Sequence, residues 1–292
     1  MHNNYKKECY DSNPHFKVHY SHGIRKYDSI LNHLHYDKDL VFEYFRKGTT
    51  AKRIEGNIYS INEGDIVITT PAELHIPLST DDCYIEKISI HISESLLSVF
   101  GGDQTVFFDK IVNKEKGIGN IIISDIVKEL GMDKELDQCL RYAEDSSLES
   151  QVLLSCKIIE LLAKVSKFIE KHTNQDLSPT SSNKTINQMI DYMNRHYTED
   201  VTLDILANRF HFSKYYISHL FKDYVGVSPY DYLIIRRLYT FNDLVRGNHS
   251  IREACFLVGF NNYSNFYRLY KKHFKITPQQ FKNSLNESDN QN

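Results

Sequence analysis

Apolar side chains recur at steps of three and four in two stretches near the C-terminus, and each stretch is followed by a second of the same kind. Leu203, Leu206, Ala207 and Phe210 share one helical face, as do Ile251, Ala254, Cys255 and Val258. Ile217, Leu220, Phe221 and Tyr224 follow the first set; Phe266, Leu269 and Tyr270 follow the second. Between the paired stretches lies a tight turn that needs a positive φ. The second copy supplies Gly259 there, and the first supplies His211, a residue type enriched among non-glycines in that region. Ala207 and Cys255 are 48 residues apart, as are Phe212 and Phe260, whereas Phe221 and Tyr270, like Pro229 and Pro278, are 49 apart. The chain therefore writes helix, turn, helix twice, with one extra residue after the second turn.

The ends of these helices carry their own signals. Thr202 is placed to cap the first helix, and Ser250-Ile-Arg-Glu253 forms a capping box at the start of the second copy. Ser213 caps the second helix of copy one. Ser228-Pro229 and Thr277-Pro278 open further helices with a capping hydroxyl followed by proline at the first helical position.

The outward positions of the second helix in each copy are polar, aromatic and basic. Copy one presents Lys214, Tyr215, Ser218, His219 and Lys222; copy two presents Tyr263, Ser264, Asn265, Tyr267, Arg268, Lys271 and Lys272. Arg pairs bidentately with guanine and Asn with adenine, while lysines and hydroxyls reach phosphates or base edges. A single helix face of this kind is often merely solvated. Two in tandem, joined by a helical segment from Tyr230 to Val245, point instead to double-stranded DNA.

This segment resembles the DNA-binding domain of the AraC/XylS family of bacterial transcription regulators. The resemblance rests on Leu206-Ala207, Phe212-Ser213, Ile217-Ser218, Leu220-Phe221-Lys222, Gly226-Val227-Ser228-Pro229, Arg237-Leu238, Gly259-Phe260, Phe266 and Thr277-Pro278. It covers about a third of the chain. Four positions depart from the family pattern: Cys255 and Phe241 stand where Ala is usual, Lys275 where Gly is common, and His219 where Arg is common. The first three concern packing or a turn. His219 weakens one expected contact, because a neutral imidazole is a poorer phosphate partner than guanidinium.

Charge sharpens the picture. The 292-residue chain carries a net charge of −3, which taken alone argues against nucleic acid. Residues 185–285, however, hold 13 Lys/Arg against 8 Asp/Glu, an excess of +5, and the remainder holds 22 against 30, or −8. A basic module joined to an acidic one is expected when only one part meets DNA. Five scattered cysteines (Cys9, Cys83, Cys139, Cys156, Cys255) form no C-x-x-C pair, which fits a reducing cytoplasm rather than a disulfide framework or zinc site. The first 13 residues lack the apolar run of a signal peptide, and no apolar run approaches membrane-spanning length, so a cytoplasmic protein is expected.

The N-terminal part reads as β structure. Short runs rich in Val, Ile, Tyr and Phe at 16–20, 40–46, 57–61, 65–70 and 84–92 are separated by turn residues, which predicts a sandwich or barrel. The string His33-Leu-His35, Gly48, Asn62-Glu-Gly64-Asp65-Ile-Val and Pro71-Ala-Glu-Leu-His75 resembles the cupin barrel of the family's sensor domains. His33, His35 and His75 then admit three readings. They line an effector pocket, with Tyr44 and Arg46 as further contacts; they tie strands and turns together; or, with Asp39, they hold a divalent ion. The effector reading leads. It requires no cofactor, and family analogy points to a sugar or related metabolite.

From 119 to 171 the pattern is helical: Ile122, Ile126 and Leu130 share a face, as do Leu154, Ile158, Leu161, Val165 and Phe168. The resemblance implies that one such helix forms a homodimer interface and that RNA polymerase is a partner. Residues 172–184 are polar and unpatterned, which suggests a linker. Ile186, Met189, Ile190 and Met193 then line one face of the next helix.

The expected fold is thus α+β multidomain: a cupin-like β-barrel (1–118), dimerisation helices (119–172), a linker (173–184), an all-α double helix-turn-helix domain (185–286) and a flexible tail (287–292). The expected function is sequence-specific transcription regulation under a small-molecule effector. Two alternatives remain: a metal-dependent cupin enzyme fused to a DNA-binding domain, and a regulator whose barrel serves only dimerisation.

Overall fold

A computed structural model of the chain describes residues 5–13, 15–25, 34–71, 73–78, 83–93, 96, 110–112, 114–171, 179–180 and 183–289. The chain divides into two compact units, Met1–Ser182 and Asn183–Asn292.

Among the described residues of the first unit, nine antiparallel strands form two sheets. The six-stranded sheet has the order β1(Lys6–Asn13), β2(Phe16–Arg25), β8(Cys83–Ile92), β3(Leu40–Lys47), β6(Ile66–Thr69), β9(Ile121–Ile122). The three-stranded sheet has the order β5(Asn57–Ile61), β4(Thr50–Ile54), β7(His75–Leu78). Five strands coincide with the apolar runs. The polar edge strand β1, the charged β4, the four-residue β7 with its proline, and the two-residue β9 lack a strong apolar signal.

The large sheet is covered on both faces, and strand alternation decides what each face does. Phe16, Val18, Leu40, Phe42, Ile88, Ile90 and Ile92 are buried against three helices: α1(Ser124–Glu129), α2(Met132–Glu144) and α3(Leu148–Lys171). On these helices Val127, Leu136, Leu140, Leu154, Ile158, Leu161, Val165 and Phe168 complete the same core. The opposite face meets the small sheet through Phe45, Ile54, Tyr59, Ile61, Val67, Ile85 and Ile121. The two antiparallel sheets thus face each other across this second core. One expectation is corrected here. Ile122 is not helical; it pairs with Ile66 in β9 and reaches the core shared with Ile126 and Leu130 from the sheet side.

The second unit contains seven helices among its described residues: α4(Lys184–Arg195), α5(Leu203–Phe210), α6(Lys214–Val225), α7(Pro229–Arg246), α8(Ile251–Leu257), α9(Tyr263–Phe274) and α10(Pro278–Asp289). The caps form as the sequence suggests. Thr202 accepts from the Ile205 amide, Ser213 from Tyr216, Ser228 from Asp231 and Ser250 from Glu253. Asn262, a cap the sequence reading did not identify, accepts from the Asn265 amide and starts α9.

Helix α7 is buried almost all round, from Pro229 and Tyr232 to Phe241 and Val245. Near its start the Tyr232 ring meets Phe221 of α6 edge-on at 5.6 Å, and its hydroxyl donates to Asn194 of α4. Near its end Phe241 packs at 4.6 Å from Phe266 and 5.3 Å from Tyr270 of α9, and Tyr270 donates to Asn242. The large Phe241 therefore fills the centre of an aromatic cluster. In between, Arg237 donates to the Tyr197 and Glu199 carbonyls at 2.6 and 2.7 Å and lies over the Phe260 ring.

Both turns adopt the left-handed backbone that the sequence requires, His211 at φ 59 and Gly259 at φ 90. A Cβ at Gly259 would stand 2.4 Å from the Thr198 carbonyl oxygen, so only glycine fits. Lys275, ending α9, is also left-handed at φ 64, at a cost that glycine would avoid. Two substitutions should therefore act in opposite directions in urea unfolding. Lys275→Gly is expected to stabilise the helical unit by about 0.5–1 kcal/mol after the extra unfolded-state entropy of glycine. Gly259→Ala is expected to destabilise it by about 2–4 kcal/mol.

Candidate nucleic-acid interface and effector cavity

Helices α6 and α9 each bury one stripe and expose the other. Ile217, Phe221 and Val225 are buried on α6, and Phe266 and Tyr270 on α9. The 3.6-residue period then forces Lys214, Tyr215, His219 and Lys222 outward on α6, with Ser218 half-buried at the edge. On α9 it exposes Tyr263, Ser264, Tyr267, Arg268, Lys271 and Lys272, with Asn265 half-buried.

The two faces differ in chemistry. On α6 Lys214 is paired with Asp204 of α5 at 2.5 Å. His219 stacks on Tyr215 with ring centroids 3.9 Å apart, and its Nδ1 donates to the Tyr215 carbonyl at 2.9 Å. Tyr215 itself is 73% exposed, which makes this face more aromatic than basic. On α9 Arg268 donates to Asn265 Oδ1 at 3.0 Å, a bond that holds the guanidinium and the amide together. Lys271 and Lys272 extend the positive face toward the end of the helix.

Residues 206–284, which span both of these units, match the family described as "Helix-turn-helix domain". Beyond that segment the chain is similar to the HTH-type transcriptional activator RhaS of Yersinia pestis (strain Pestoides F), 22% identical over 243 residues, 82% of this chain and 85% of the relative. The chain thus carries a helix-turn-helix domain at 206–284 and resembles a transcriptional activator over most of its length. Similar solved structures include ToxT from Vibrio cholerae O395, 14% identical, covering 97% of this chain and 99% of that one with a TM-score of 0.37. Another is the DNA-binding domain of AdpA in complex with a target DNA, 18% identical, covering 36% of this chain and 96% of that one with a TM-score of 0.34.

In the N-terminal unit a cavity of about 350 Å³ opens between the two sheets. His35 and His75 line it; His33 lies outside the described residues. Tyr44 and Arg46, expected as effector contacts, are not among its lining residues. They alternate with Val41, Glu43 and Phe45 on β3 and therefore point the other way. Tyr44 packs on the helix-side core, and Arg46 pairs with Glu86 at 3.0 Å and Asp137 at 3.3 Å.

The residues that do line the cavity include several that the sequence reading passed over: Lys52 on β4, Glu43 on β3, Lys87 and His91 on β8, His19 on β2, and Asp37. A signal for some of them was present. In β8 the run Ile88, Ile90, Ile92 alternates with Lys87, Ser89, His91, so one face is apolar and the other is polar without being solvated. Both Glu43 oxygens are ion-paired, one to Lys52 and one to Lys87. Burial would raise the Glu43 carboxyl, but the two ammonium groups outweigh it and hold it well below the usual carboxylate range.

Asp37, rather than Asp39, stands with the histidines. His35, Asp37 and His75 each offer a ligand atom, all within 4.8 Å of one another, and Asp37 Oδ2 is 3.6 Å from His75 Nε2. Two imidazoles and one carboxylate are a donor set compatible with a divalent ion. His75 Nδ1 lies 3.0 Å from the Glu73 carbonyl, to which it donates, leaving Nε2 toward Asp37.

Burial, then the nearby Lys52 and His35, hold the His75 imidazole well below its ordinary value. His91 is also lowered, mainly by burial, although Asp37, Glu43 and Asp39 oppose this. Both are neutral in the fold at neutral pH. The unfolded chain takes up these protons as pH falls below about 6.5, while the folded one resists. Stability of the N-terminal unit should therefore be level above about pH 6.5 and decline below it. Urea midpoints at pH 7.5 and 5.5 check this, and His75→Gln should reduce the difference between them.

Proposed function

We propose that the chain is a sequence-specific DNA-binding transcription regulator controlled by a small molecule bound in the N-terminal cavity. The observation that carries the DNA-binding part is the pair of capped helix-turn-helix units whose exposed faces are set by one buried helix, α7. Helices α6 and α9 enter successive major-groove segments, about 34 Å apart on one face of the duplex. Lysines set register on phosphates; Asn265, Arg268 and the exposed tyrosines read base edges.

Control requires that the effector bind two states of the regulator with different affinity. Sensing falls to the barrel and dimerisation to the helices that follow it. Helix α3 supports that assignment, since Leu148, Val152 and Cys156 are exposed at successive i, i+4 positions along one stripe. A homodimer joins two modest DNA affinities into one strong one. As a transcription regulator it works in the cytoplasm with RNA polymerase as a partner; among the described residues no helix is long and apolar enough to cross a membrane.

A second reading, a metal-dependent cupin activity, is favoured only by His35, Asp37 and His75. Elemental analysis of the purified chain separates the two, since that reading needs one bound ion per chain.

Footprinting on the DNA flanking the chain's own gene, with and without a metabolite panel, tests the main reading. A protected pair of direct repeats, altered by one compound, is the expected result. Absence of any protected site would overturn it. Within that site Arg268→Ala should cost about 1–3 kcal/mol and relax specificity at one base pair. Lys222→Ala should weaken binding uniformly across sequences and reduce the salt slope by about 1. If it leaves both unchanged, α6 is rotated away from the phosphates.

A further inference from the structure

We propose that the cavity binds a small organic acid, whose carboxylate is held between the Lys52 and Lys87 ammonium groups. This rests on the effector reading of the cavity and specifies its ligand class. The argument begins with charge. Lys52 and Lys87 are nearly buried, their side chains 9% and 15% exposed, and they come from different sheets, β4 and β8. One carboxylate, Glu43, lies between them and is shared by both. Among the described residues, these two cations and one anion leave an excess of +1 in a poorly solvated place. At the rim, the exposed Lys7 and the partly exposed Asp37 offset each other.

Hydrogen bonding points the same way. An ammonium group carries three donors. Among the described residues, each of these lysines has a hydrogen bond to Glu43 and to no other group. Buried donors of a charged group are costly to leave unmatched, so a natural structural strut would pair one lysine with one carboxylate. The second lysine is surplus to a strut. It is accounted for if a ligand supplies the second carboxylate.

The rest of the wall sets the ligand's character. The imidazoles of His19, His35, His75 and His91 offer both donors and acceptors, and Val41, Phe45 and Ile61 supply apolar area. About 350 Å³ suits a compact metabolite rather than a long acyl chain. A neutral sugar would satisfy the imidazoles but leave the excess charge uncompensated. A phosphate dianion would overshoot it by one.

The test is thermal unfolding of the full-length chain at pH 7.5 with acids and their neutral counterparts: glucuronate against glucose, benzoate against benzamide, lactate against glycerol. Glucose 6-phosphate and inorganic phosphate form a third arm. At least one carboxylate should raise the Tm of the N-terminal unit by about 5 °C at millimolar concentration, with its neutral partner silent. Lys87→Met should abolish that shift while leaving the Tm without ligand unchanged or higher, because it leaves a balanced Lys52–Glu43 pair. Glu43→Gln should enlarge the shift, since the internal competitor is gone.

A neutral compound or a phosphate acting alone would overturn the carboxylate assignment and leave the effector reading standing. A Tm loss in Lys87→Met, with a carboxylate shift that persists, would also overturn it. Silence in all three arms would overturn both.

Discussion

Everything the C-terminal unit does depends on the burial of helix α7. A surface helix buries one stripe; α7 buries nearly every side, including Arg236 and Arg237. Its two halves serve different partners, Tyr232 against Phe221 of the first helix-turn-helix unit and Phe241 against Phe266 and Tyr270 of the second. Because protein interiors are close-packed and yield little, the angle and distance between α6 and α9 are fixed by this one rod. Arg237 adds a polar constraint. Its two bonds to the Tyr197 and Glu199 carbonyls tie α7 to the segment that follows α4, beside the Phe260 ring of the second unit.

The N-terminal unit is organised by a different rule. A sheet covered on both faces must place apolar groups on each, unless one face encloses something polar. Here the helix-side core is apolar, while the other face mixes Val41, Phe45 and Ile85 with Glu43, Lys87 and His91. Charges enclosed at such a place carry a large desolvation cost and are kept only where they are matched. The matching around Glu43 is incomplete, two ammonium groups sharing one carboxylate.

The exposed faces of α6 and α9 differ in their chemistry. The first face is aromatic, with one lysine tied to Asp204 and a histidine folded onto Tyr215, whereas the second concentrates Arg268, Lys271 and Lys272. His219, at a position where the resembling family commonly has arginine, therefore belongs to a wider pattern in which the second unit exposes more positive charge. The net charge of −3 for the whole chain conceals this completely.

The sequence by itself determined the double helix-turn-helix. Its signals are local: a 3.6-residue period, capping hydroxyls one residue before α5, α6, α7 and α8, and a turn position that only certain residues tolerate. Strands β2, β3, β5, β6 and β8 were legible for the same reason, since their alternation and β-branched content act within a few residues. What only the tertiary structure decided was the cavity. Tyr44 and Arg46 were plausible contacts until strand register turned them toward the helices, a one-residue difference that reverses every side chain. Asp37 displaced Asp39 beside the histidines. Lys52 and Lys87 lie 35 residues apart on strands of different sheets, and nothing along the chain announces that they meet at Glu43. Contacts of that kind exist only once two sheets have closed on each other, and so no local pattern could encode them.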